Sequence, residues 1–523
     1  MKRYIYSIAL AMTATAAMAQ ETYESAAIAT NDLNGTAKYI GMGGAMEALG
    51  ADISTMSTNP AGTGLFRKSW IGLSAGVTTQ QGDKTGVAKD GVTNADFNQI
   101  GFIYSQELNN SYVNLGFNYH KSRNFNQILS AVNSLNNASL NKFAANKYNA
   151  FGEGAAKYSD ELLLVTYNGN ITEKDAEYFD YVNANRFSAS QEIEGYNGEY
   201  DFNISGNINN RIFLGLTVGI RDVHYQHYNT YAENLVNYDY YSLLDERSIT
   251  GTGYDVKFGA IIRPIEESPF RIGLYASTPT WYELLCEYRM YAQADMPSVG
   301  MSDAAPGKYE SKSYEYEVVT PWKFGVSLGH TIGSTIALGA TYEYSDYSSI
   351  NNKALTGSSY DYYYDSYDNH YTAERQMNDN TSMALKGVHL LKVGGEFKPV
   401  PEMAIRLGYN YQSAIYKPSG QKSWNVASNY DNNLISDGNY ATTSEFINWG
   451  DTHRITCGLG FAVSDHINLD LSYQYITQKG DFHSFEDTES YDDKGNVIDT
   501  NIANVTKVSN NRHQANLSIS YRF

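Results

Sequence analysis

The chain ends in Leu517-Ser518-Ile519-Ser520-Tyr521-Arg522-Phe523, a stretch in which apolar side chains alternate with polar ones. Successive side chains of a β-strand point to opposite faces, so this alternation predicts a strand with one apolar and one polar face. The last residue, Phe523, is aromatic and falls on the apolar side of the pattern. The final segment is therefore predicted to be a two-faced strand.

The same period of two recurs along the chain. It is clearest in the apolar residues of three segments: Val113, Leu115, Phe117 and Tyr119; Ile405, Leu407, Tyr409 and Tyr411; and Ile467, Leu469, Leu471, Tyr473 and Tyr475. In a membrane barrel these side chains would face lipid, and the residues between them would face the lumen. A soluble sandwich also alternates, so periodicity alone does not separate the two classes.

The first residues predict export. Met1-Lys2-Arg3 is a basic start, an apolar to small-residue stretch follows, and Ala17-Met18-Ala19 resembles a signal-peptidase site. We therefore expect a signal peptide at 1–19 and a mature chain that starts at Gln20. No later apolar run approaches the ~18–20 residues of a spanning helix, which leaves a soluble protein or a β-barrel. The aromatic C-terminal strand favours the barrel, because it resembles the signal that outer-membrane barrels present to their assembly machinery.

About fourteen strands are predicted, with an uncertainty of about two. They lie near 69–79, 97–107, 111–122, 196–208, 210–230, 246–263, 269–292, 309–331, 334–350, 384–398, 402–418, 449–463, 465–483 and 508–523. Connections after even-numbered strands are short, whereas those after odd-numbered strands are long, and the segment 123–195 is the longest. Short periplasmic turns and long extracellular loops are typical of outer-membrane barrels. The predicted fold class is therefore all-β, a transmembrane antiparallel barrel over residues 69–523 in the bacterial outer membrane.

Composition supports extended structure and excludes some functions. The chain has 46 Tyr and 44 Gly but only 2 Cys and 10 Pro, which favours β-structure. A formal charge of −19 argues against a nucleic-acid partner, because phosphate binding needs a basic surface. Cys286 and Cys457 fit neither a disulfide framework nor a zinc site. His224 and His227 are three apart on a predicted strand and point to opposite faces, so they cannot share a metal. No signature marks a nucleophile and its base, and we predict no catalytic residue, no metal site and no cofactor.

The longest loop is predicted to be partly helical. Its apolar residues fall near spacings of three and four, at Phe125, Ile128, Leu129, Val132, Leu135, Leu140 and Phe143. Such a helix could simply pack on neighbouring loops and cap the barrel. The functional alternative is an external landing site for an apolar ligand, formed by Phe125, Ile128, Leu129 and Val132.

Residues 20–68 are predicted to fill the lumen as a hatch. They precede the first strand, lack sustained alternation and are rich in small residues and Met. Glycines recur at inward wall positions, namely Gly116, Gly215, Gly219, Gly325, Gly329, Gly339, Gly408, Gly458 and Gly460. Glycine weakens a strand unless another backbone approaches closely or the strand bends there, so barrel curvature and a hatch are both possible explanations.

Several motifs resemble those of the FadL/TodX family. Gly41-Met42-Gly43-Gly44-Ala45-Met46, then Gly50-Ala51-Asp52-Ile53-Ser54 and Asn59-Pro60-Ala61-Gly62, are similar to the hatch of these outer-membrane transporters of long-chain fatty acids and other hydrophobic compounds. Thr320-Pro321-Trp322, Asp346-Tyr347-Ser348 and Trp449-Gly450-Asp451-Thr452-His453-Arg454 resemble later family segments, although Trp is commoner at the place of Tyr347. The resemblance follows the mature chain in order.

The resemblance implies passive transport of a hydrophobic small molecule. Cargo would land on the long loops, enter a lumenal pocket and leave through the wall near Gly116 of the third strand. Asn59 would hold the hatch turn by hydrogen bonds, Pro60 would stiffen it, and Ala61 and Gly62 would pack closely. Alternatively, Asn59–Gly62 merely seats an inert plug. Membrane lipids, the assembly machinery and a monomeric state are also implied.

Two other functions stay open at this stage. Relatives of this type are sometimes labelled hemin receptors, and Tyr or His can ligate haem iron. No residue is marked for that role, and abundant Tyr also suits interfacial girdles. A structural or adhesive barrel, with the loops as its working part, is the less favoured alternative.

Overall fold

The computed structural model describes residues 22–81, 93–109, 111–151, 181–295, 308–361, 366–422, 444–491 and 497–523. The predicted signal peptide, 1–19, lies outside them. The described strands are β1 (Trp70–Gln81), β2 (Thr93–Leu108), β3 (Ser111–Asn124), β4 (Gln127–Ser134), β5 (Ala184–Ile208), β6 (Ile212–Leu235), β7 (Tyr240–Ile262), β8 (Arg271–Ser277), β9 (Trp281–Asp295), β10 (Lys308–Val319), β11 (Lys323–Ile332), β12 (Ile336–Asp346), β13 (Asn351–Asp361), β14 (Ser366–Ala373), β15 (Gly387–Val400), β16 (Met403–Gln412), β17 (Phe446–Ala462), β18 (Ile467–His483), β19 (Thr488–Tyr491), β20 (Val497–Asn501) and β21 (Thr506–Arg522). The described α-helices are α1 (Thr22–Ala29), α2 (Ala37–Gly41), α3 (Leu140–Phe151) and α4 (Arg375–Ala384).

A closed barrel of fourteen antiparallel strands forms the wall. In order around the barrel they are β1, β2, β3, β5, β6, β7, β8 with β9, β10 with β11, β12, β15, β16, β17, β18 and β21. The last strand pairs with the first along its length, from Trp70 opposite Arg522 to Gln81 opposite Asn511. Closure leaves no unpaired edge, as lipid requires. The predicted fold class and strand number are confirmed.

The two faces of the wall follow the alternation in the sequence. Leu407 and Ile455 on the outer face are 66% and 58% exposed, and Cys457 lies on the same face. Asn118 and Asn410, which alternate with apolar residues, are buried in the lumen. Apolar side chains thus form the outer band that faces lipid. No helix within the described ranges is long and apolar enough to cross a membrane.

Three neighbouring wall strands are interrupted at one level. Thr278–Thr280 separate β8 from β9, Thr320–Trp322 separate β10 from β11, and a 3-10 turn at Tyr347–Ser349 separates β12 from β13. The sequence predicts continuous strands over 269–292, 309–331 and 334–350, and this detail is wrong. Pro279 and Pro321 explain two of the interruptions, because proline has no N–H to donate to a ladder.

The predicted helix at the start of the longest loop is wrong. Residues Gln127–Ser134 form β4, which pairs with the outer part of β5 from Gln127 opposite Ile193 to Ser134 opposite Arg186. The long β5 offers an edge beyond the barrel, and pairing with it overrides the helical spacing. The second half of the prediction is confirmed, because Leu140 and Phe143 begin α3 and are buried.

The chain before β1 passes through the barrel. Its first helix, α1, lies among extracellular elements, where the Tyr23 hydroxyl donates to Asn448 at 2.7 Å. Its last residues lie at the opposite rim, where the Phe523 N–H donates to the Ser69 carbonyl at 3.0 Å. Most residues between these ends are buried. We call this segment, 22–68, the hatch; that it works as a gate stays a prediction. Its placement fixes the vertical order of the sites inside the lumen.

Candidate functional site: a lumenal cavity above the hatch

An aromatic cavity of about 150 Å³ lies between the extracellular loops and the hatch. We call it the upper cavity. Its apolar lining comes from Tyr23, Phe125, Ile193, Tyr225, Ile415, Tyr416, Phe446, Ile447, Trp449 and Ile476. Tyr23 of α1 stacks on Tyr416 with ring centroids 4.8 Å apart, and Phe125 meets Tyr225 edge to face at 5.2 Å. Elements far apart in sequence thus form an apolar part of the cavity, while charged and amide side chains line the rest.

A cluster of arginines forms the polar end of the upper cavity. Arg123 lies 2.8 Å from the Asp32 carboxylate and Arg454 lies 3.7 Å from it, while Arg512 also lines the cavity. Three cations therefore face one carboxylate, and the cluster carries a net positive charge.

The arginine cluster has unused hydrogen-bonding capacity. The Nε atoms of Arg123, Arg454 and Arg512 are buried and have no hydrogen-bond partner among the described residues. A buried donor without a partner costs free energy, so an acceptor from a ligand or water is expected there. An anionic group at this end would satisfy both the charge and the donors.

His227 also faces the upper cavity. Its side chain is 7% exposed, and neither ring nitrogen has a hydrogen-bond partner among the described residues. The nearest carboxylate oxygen, on Asp245, is 3.9 Å from Nδ1. His224 is exposed on the opposite face of β6, which confirms the predicted orientation of the pair. The sequence excluded a shared metal but gave no indication of a cavity around His227.

A network of charges lies deeper in the lumen, where strands β3, β5, β6 and β7 face the hatch. Lys257 contacts the carboxylates of Glu199, Asp201 and Asp255 at 2.6, 3.1 and 2.5 Å. Arg221 contacts Glu199 at 3.0 Å and Asp255 at 2.8 Å. Such a network is costly to disturb, because removing one partner leaves buried charges uncompensated.

The Asn59-Pro60-Ala61-Gly62 turn is buried against the wall. The Asn59 amide donates from Nδ2 to the Glu47 carbonyl at 2.9 Å, and its Oδ1 accepts from the Ala61 N–H at 3.2 Å. Pro60 starts a 3-10 turn that runs to Leu65. The Gly62 carbonyl accepts from the Ala51 N–H at 3.0 Å. The turn is thus tied to the rest of the hatch from both sides; whether it also gates transport stays a prediction.

Glycines occupy many of the wall positions that contact the hatch. A Cβ placed on any of eight inward glycines would lie 1.9 to 3.2 Å from a hatch atom; these are Gly215, Gly259, Gly273, Gly329, Gly339, Gly394, Gly408 and Gly458. We call this set the glycine track. Gly219, Gly325 and Gly460, also predicted to face inward, instead make room for charged or aromatic wall side chains. Close approach of the hatch therefore explains most, but not all, of the predicted glycines.

An ion pair joins the hatch to the wall, and the sequence analysis missed it. Glu47 is fully buried, and its carboxylate accepts from Lys392 at 2.6 Å, Thr341 at 2.7 Å and Tyr39 at 3.0 Å. The sequence could have indicated this pair, because Lys392 falls among the inward-facing residues of β15. Charged residues are rarely buried without a partner.

The structure alters two of the predicted site positions. Gly116 lies in an intact part of the wall, opposite Ile103 of β2 and Asn203 of β5, with Met56 of the hatch against it. The irregularity of β3 is between Lys121 and Arg123 instead. Of the predicted landing residues, Phe125 and Leu129 are buried, Ile128 is half-buried and only Val132 is exposed, at 42%. They alternate because they lie in or beside a strand, so they do not form one external patch. Within the described ranges no group of three potential metal ligands occurs.

Comparison with known proteins identifies the fold. No protein-family model and no curated protein matches the sequence. Among solved structures, a Pseudomonas aeruginosa FadL homologue matches with a TM-score of 0.52 and 12% identity, over 94% of this chain and 99% of that chain. The CymD monoaromatic hydrocarbon channel has a TM-score of 0.49 at 11% identity, over 94% and 99% of the two chains. The Pseudomonas putida toluene transporter TodX has a TM-score of 0.46 at 10% identity, over 95% and 100%. The match to the FadL homologue shows a FadL-type fold, and the closed wall with an apolar outer band makes the chain a bacterial outer-membrane β-barrel.

Proposed function

We propose that the chain is an outer-membrane transporter for hydrophobic compounds, which binds its cargo in the upper cavity. The observation that carries this proposal is an aromatic pocket enclosed within a lipid-spanning wall, between the extracellular elements and the hatch. Burial of apolar cargo there supplies affinity at roughly 25 cal/mol per Å². The match to the FadL homologue agrees with this class of cargo, because the resemblance of the sequence to the FadL/TodX family implies transport of hydrophobic compounds.

Within this class we propose an amphipathic cargo with an anionic head, and long-chain fatty acids fit best. The aromatic lining takes the chain, and Arg123, Arg454 and Arg512 take the carboxylate. A neutral hydrocarbon would leave the arginine Nε donors without an acceptor, which favours the fatty acid. A cavity of about 150 Å³ is the size that holds one benzene ring, so binding of a long chain requires a shift of the lining.

The segment best placed to shift is 22–34. It supplies Tyr23, Glu24 and Asp32 to the upper cavity, whereas the hatch beyond Gly41 is interlocked with the glycine track. We infer that cargo displaces this upper segment first, while Asn59–Gly62 stays seated. The proposed gating therefore involves movement of residues 22–34 alone and not of the whole hatch.

We propose that cargo leaves sideways at the strand interruptions rather than at Gly116. The segments Thr320–Trp322 and Asp346–Ile350 face each other, and no backbone hydrogen bond joins these two described segments. One side-chain bond, from the Ser345 hydroxyl to the Trp322 carbonyl at 3.0 Å, spans the gap. A wall with few ladder bonds opens at lower cost than a continuous ladder.

Tryptophan fluorescence of the purified, folded barrel tests the proposal, because Trp449 lines the upper cavity. Palmitate and the uncharged hexadecanol are titrated in parallel. Saturable binding of palmitate that is several-fold tighter than that of hexadecanol is expected, and the variant Arg454→Gln should reduce this preference. Equal affinity for both ligands would reject the anionic head group but keep the hydrophobic cargo. No saturable binding of either ligand would reject the transporter.

Haem is the second candidate, and His227 is the observation that favours it. A buried imidazole with two unused nitrogens can ligate iron, and Tyr225 lies beside it with ring centroids 6.4 Å apart. The small cavity volume argues against the macrocycle. A haem titration followed by absorbance distinguishes the two cargoes. A defined iron-ligand spectrum that the variant His227→Phe abolishes would assign haem as the cargo instead of a fatty acid.

A further inference from the structure

A repeated cluster of Tyr and His lies on the outer face of the barrel, away from the lumen. It occurs on three consecutive pairs of wall strands, β12 with β15, β16 with β17, and β18 with β21. In each, two tyrosines two residues apart on the first strand meet one histidine on the second: Tyr342 and Tyr344 with His389, Tyr409 and Tyr411 with His453, and Tyr473 and Tyr475 with His513. We call these sets the Tyr–His clamps.

The three clamps share one geometry. The hydroxyl of the first tyrosine lies 2.7, 2.7 and 2.6 Å from the histidine Nδ1. The second tyrosine is the direct cross-strand neighbour of the histidine, with ring centroids 5.2, 5.3 and 5.0 Å apart. Each imidazole is thus fixed by a hydrogen bond and by a neighbouring ring. The same arrangement on three consecutive strand pairs indicates a repeated structural feature and not an isolated surface contact.

This geometry leaves one ring atom available on each histidine. A tyrosine hydroxyl that donates to Nδ1 places the imidazole proton on Nε2, which then becomes a donor. Within the described ranges no hydrogen bond to these three Nε2 atoms is formed. The histidines are exposed or half-buried, whereas their strand neighbours Arg454 and Arg512 point into the lumen. The free Nε2 therefore faces the surroundings of the barrel.

The clamps lie at the extracellular edge of the apolar band. On β21, the outward residues after His513 are Ala515, Leu517, Ile519 and Tyr521, and those before it are Asn511, Ser509 and Lys507. The outward row thus changes from apolar to polar at His513, which marks the extracellular boundary of the band that faces lipid. The clamps are therefore at the level of the outer-leaflet head groups.

The charges around the clamps permit an anionic occupant. Lys479 and Lys507 lie on the outward rows beyond the third clamp, and Lys507 is paired with Asp481 at 2.6 Å. Asp451, the acid next to the second clamp, already accepts from Tyr411 at 3.0 Å and from the Ala414 N–H at 2.7 Å. A fixed N–H donor at the level of the head groups matches a phosphate oxygen, because a hydrogen bond to a charged acceptor is stronger than one to a neutral acceptor.

We propose that the Tyr–His clamps bind phosphate head groups of outer-leaflet lipids. The barrel would then carry three lipid sites on one face, which fix its height and rotation in the membrane. The sites are independent of cargo, because they face away from the lumen. Aromatic girdles alone anchor a barrel without selecting a head group, so selection of phosphate is the property to be tested.

The test measures lipid selectivity around the full-length barrel in vesicles of digalactosyldiacylglycerol, a lipid without phosphate. Spin-labelled phosphatidic acid reports the lipid shell, and spin-labelled stearate serves as an anion without phosphate. We expect phosphatidic acid to be enriched roughly threefold over the host lipid, and more strongly than stearate, as suits one hydrogen bond to a charged group in a wet site. The triple variant His389→Phe, His453→Phe, His513→Phe keeps the rings and should lower the enrichment to about one.

Controls separate the clamps from general effects. His466→Phe changes an outward histidine at the periplasmic rim, whose Nδ1 lies 2.8 Å from the Arg522 carbonyl, and should leave selectivity unchanged. The variant Tyr342→Phe, Tyr409→Phe, Tyr473→Phe removes only the hydroxyls and should lower the enrichment in part. Equal selectivity in the wild type and the histidine variant, or equal enrichment of stearate and phosphatidic acid, would overturn the proposal.

Discussion

At the scale of residues, neighbouring glycines on β15 give a matched test of the glycine track. A Cβ on Gly394 would lie 2.1 Å from the Met42 carbonyl oxygen, whereas a Cβ on Gly395 makes ordinary contacts, with Leu338 at 3.4 Å and the Ala337 carbonyl oxygen at 3.9 Å. Gly394→Ala is therefore expected to displace the hatch and cost about 1–3 kcal/mol of stability. Gly395→Ala, one residue away on the outer face, should change little.

Hydrogen exchange of residues 41–46 and thermal unfolding measure the effect of the two alanines. Faster exchange in Gly394→Ala, with no change in Gly395→Ala, is the expected pair of results. Equal exchange and equal thermal stability of the two variants would mean that the hatch tolerates a methyl group at the glycine track. The inference that close contact with the hatch requires glycine there would then be wrong.

Asn59 is the second position tested at the residue scale. Asn59→Ala removes the donor to the Glu47 carbonyl and the acceptor for the Ala61 N–H, and leaves both groups buried. We expect a local cost of about 1–3 kcal/mol and altered uptake of labelled palmitate, with the barrel still folded. The exposed Gln106→Ala is the control. Normal uptake with an unaltered hatch would favour the inert-plug interpretation.

At the scale of elements, α3 is tied to β6 by a single carboxylate. Glu233 accepts from the Leu140 N–H at 3.0 Å and from the Tyr231 hydroxyl at 2.7 Å. It lies outside the membrane, because the apolar outward row of β6 runs only from Ile212 to Ile220 and Asp222, His224 and Gln226 follow. Burial raises the pKa of Glu233 to about 7, although both hydrogen bonds lower it.

The raised pKa makes docking of α3 dependent on pH. The folded state holds its proton more tightly than the unfolded state, so the contribution is complete below about pH 4.5 and is lost as pH rises through about 7. The full change is about 3 kcal/mol. Exchange of the α3 amides, corrected for intrinsic rates, should therefore quicken from pH 5 to pH 8. Glu233→Gln should remove this trend, and a trend that persists in the variant would assign it to another group.

At the scale of the whole molecule, the hatch and wall form one structure. The glycine track and the ion pair of Glu47 with Lys392 depend on both parts, and Arg221 of the charge network donates to Asn31 of the hatch at 3.3 Å. Deleting residues 22–66 would leave an inward face of glycines and charges around open space. We expect the deleted form to conduct ions in planar bilayers and to lose saturable palmitate binding, whereas the intact barrel does not conduct.

The same deletion separates the transporter from an adhesive barrel. An adhesive barrel works through its loops and should keep surface binding without the hatch. If the deleted protein folds, stays closed to ions and binds palmitate as before, the hatch has no part in transport. A heat-modifiable shift in gel mobility checks that the barrel itself has formed.

The sequence predicts those features of the fold that neighbouring residues determine. Alternation at Ile405–Tyr411 and the short turns between strands arise from neighbouring residues, and they predict strand number, orientation and the lipid-facing set. Interruption by Pro279 and Pro321 was also readable, because proline cannot donate to a ladder. Strand β4 could not be predicted, because its apolar spacing suits a helix. Only pairing with the free edge of β5 makes this segment a strand.

The sequence by itself determined that this chain is an outer-membrane barrel with a hatch ahead of its first strand. Period-two alternation, turn spacing and the aromatic end are properties of consecutive residues, and lipid permits only one such closed β-structure. Tertiary structure alone decided the sites. Asp32 meets Arg123 and Arg454, Tyr23 stacks on Tyr416, and His513 meets Tyr473 only because closure of the barrel brings distant strands together. Register across a closed wall depends on every strand at once, and no single segment of sequence records it.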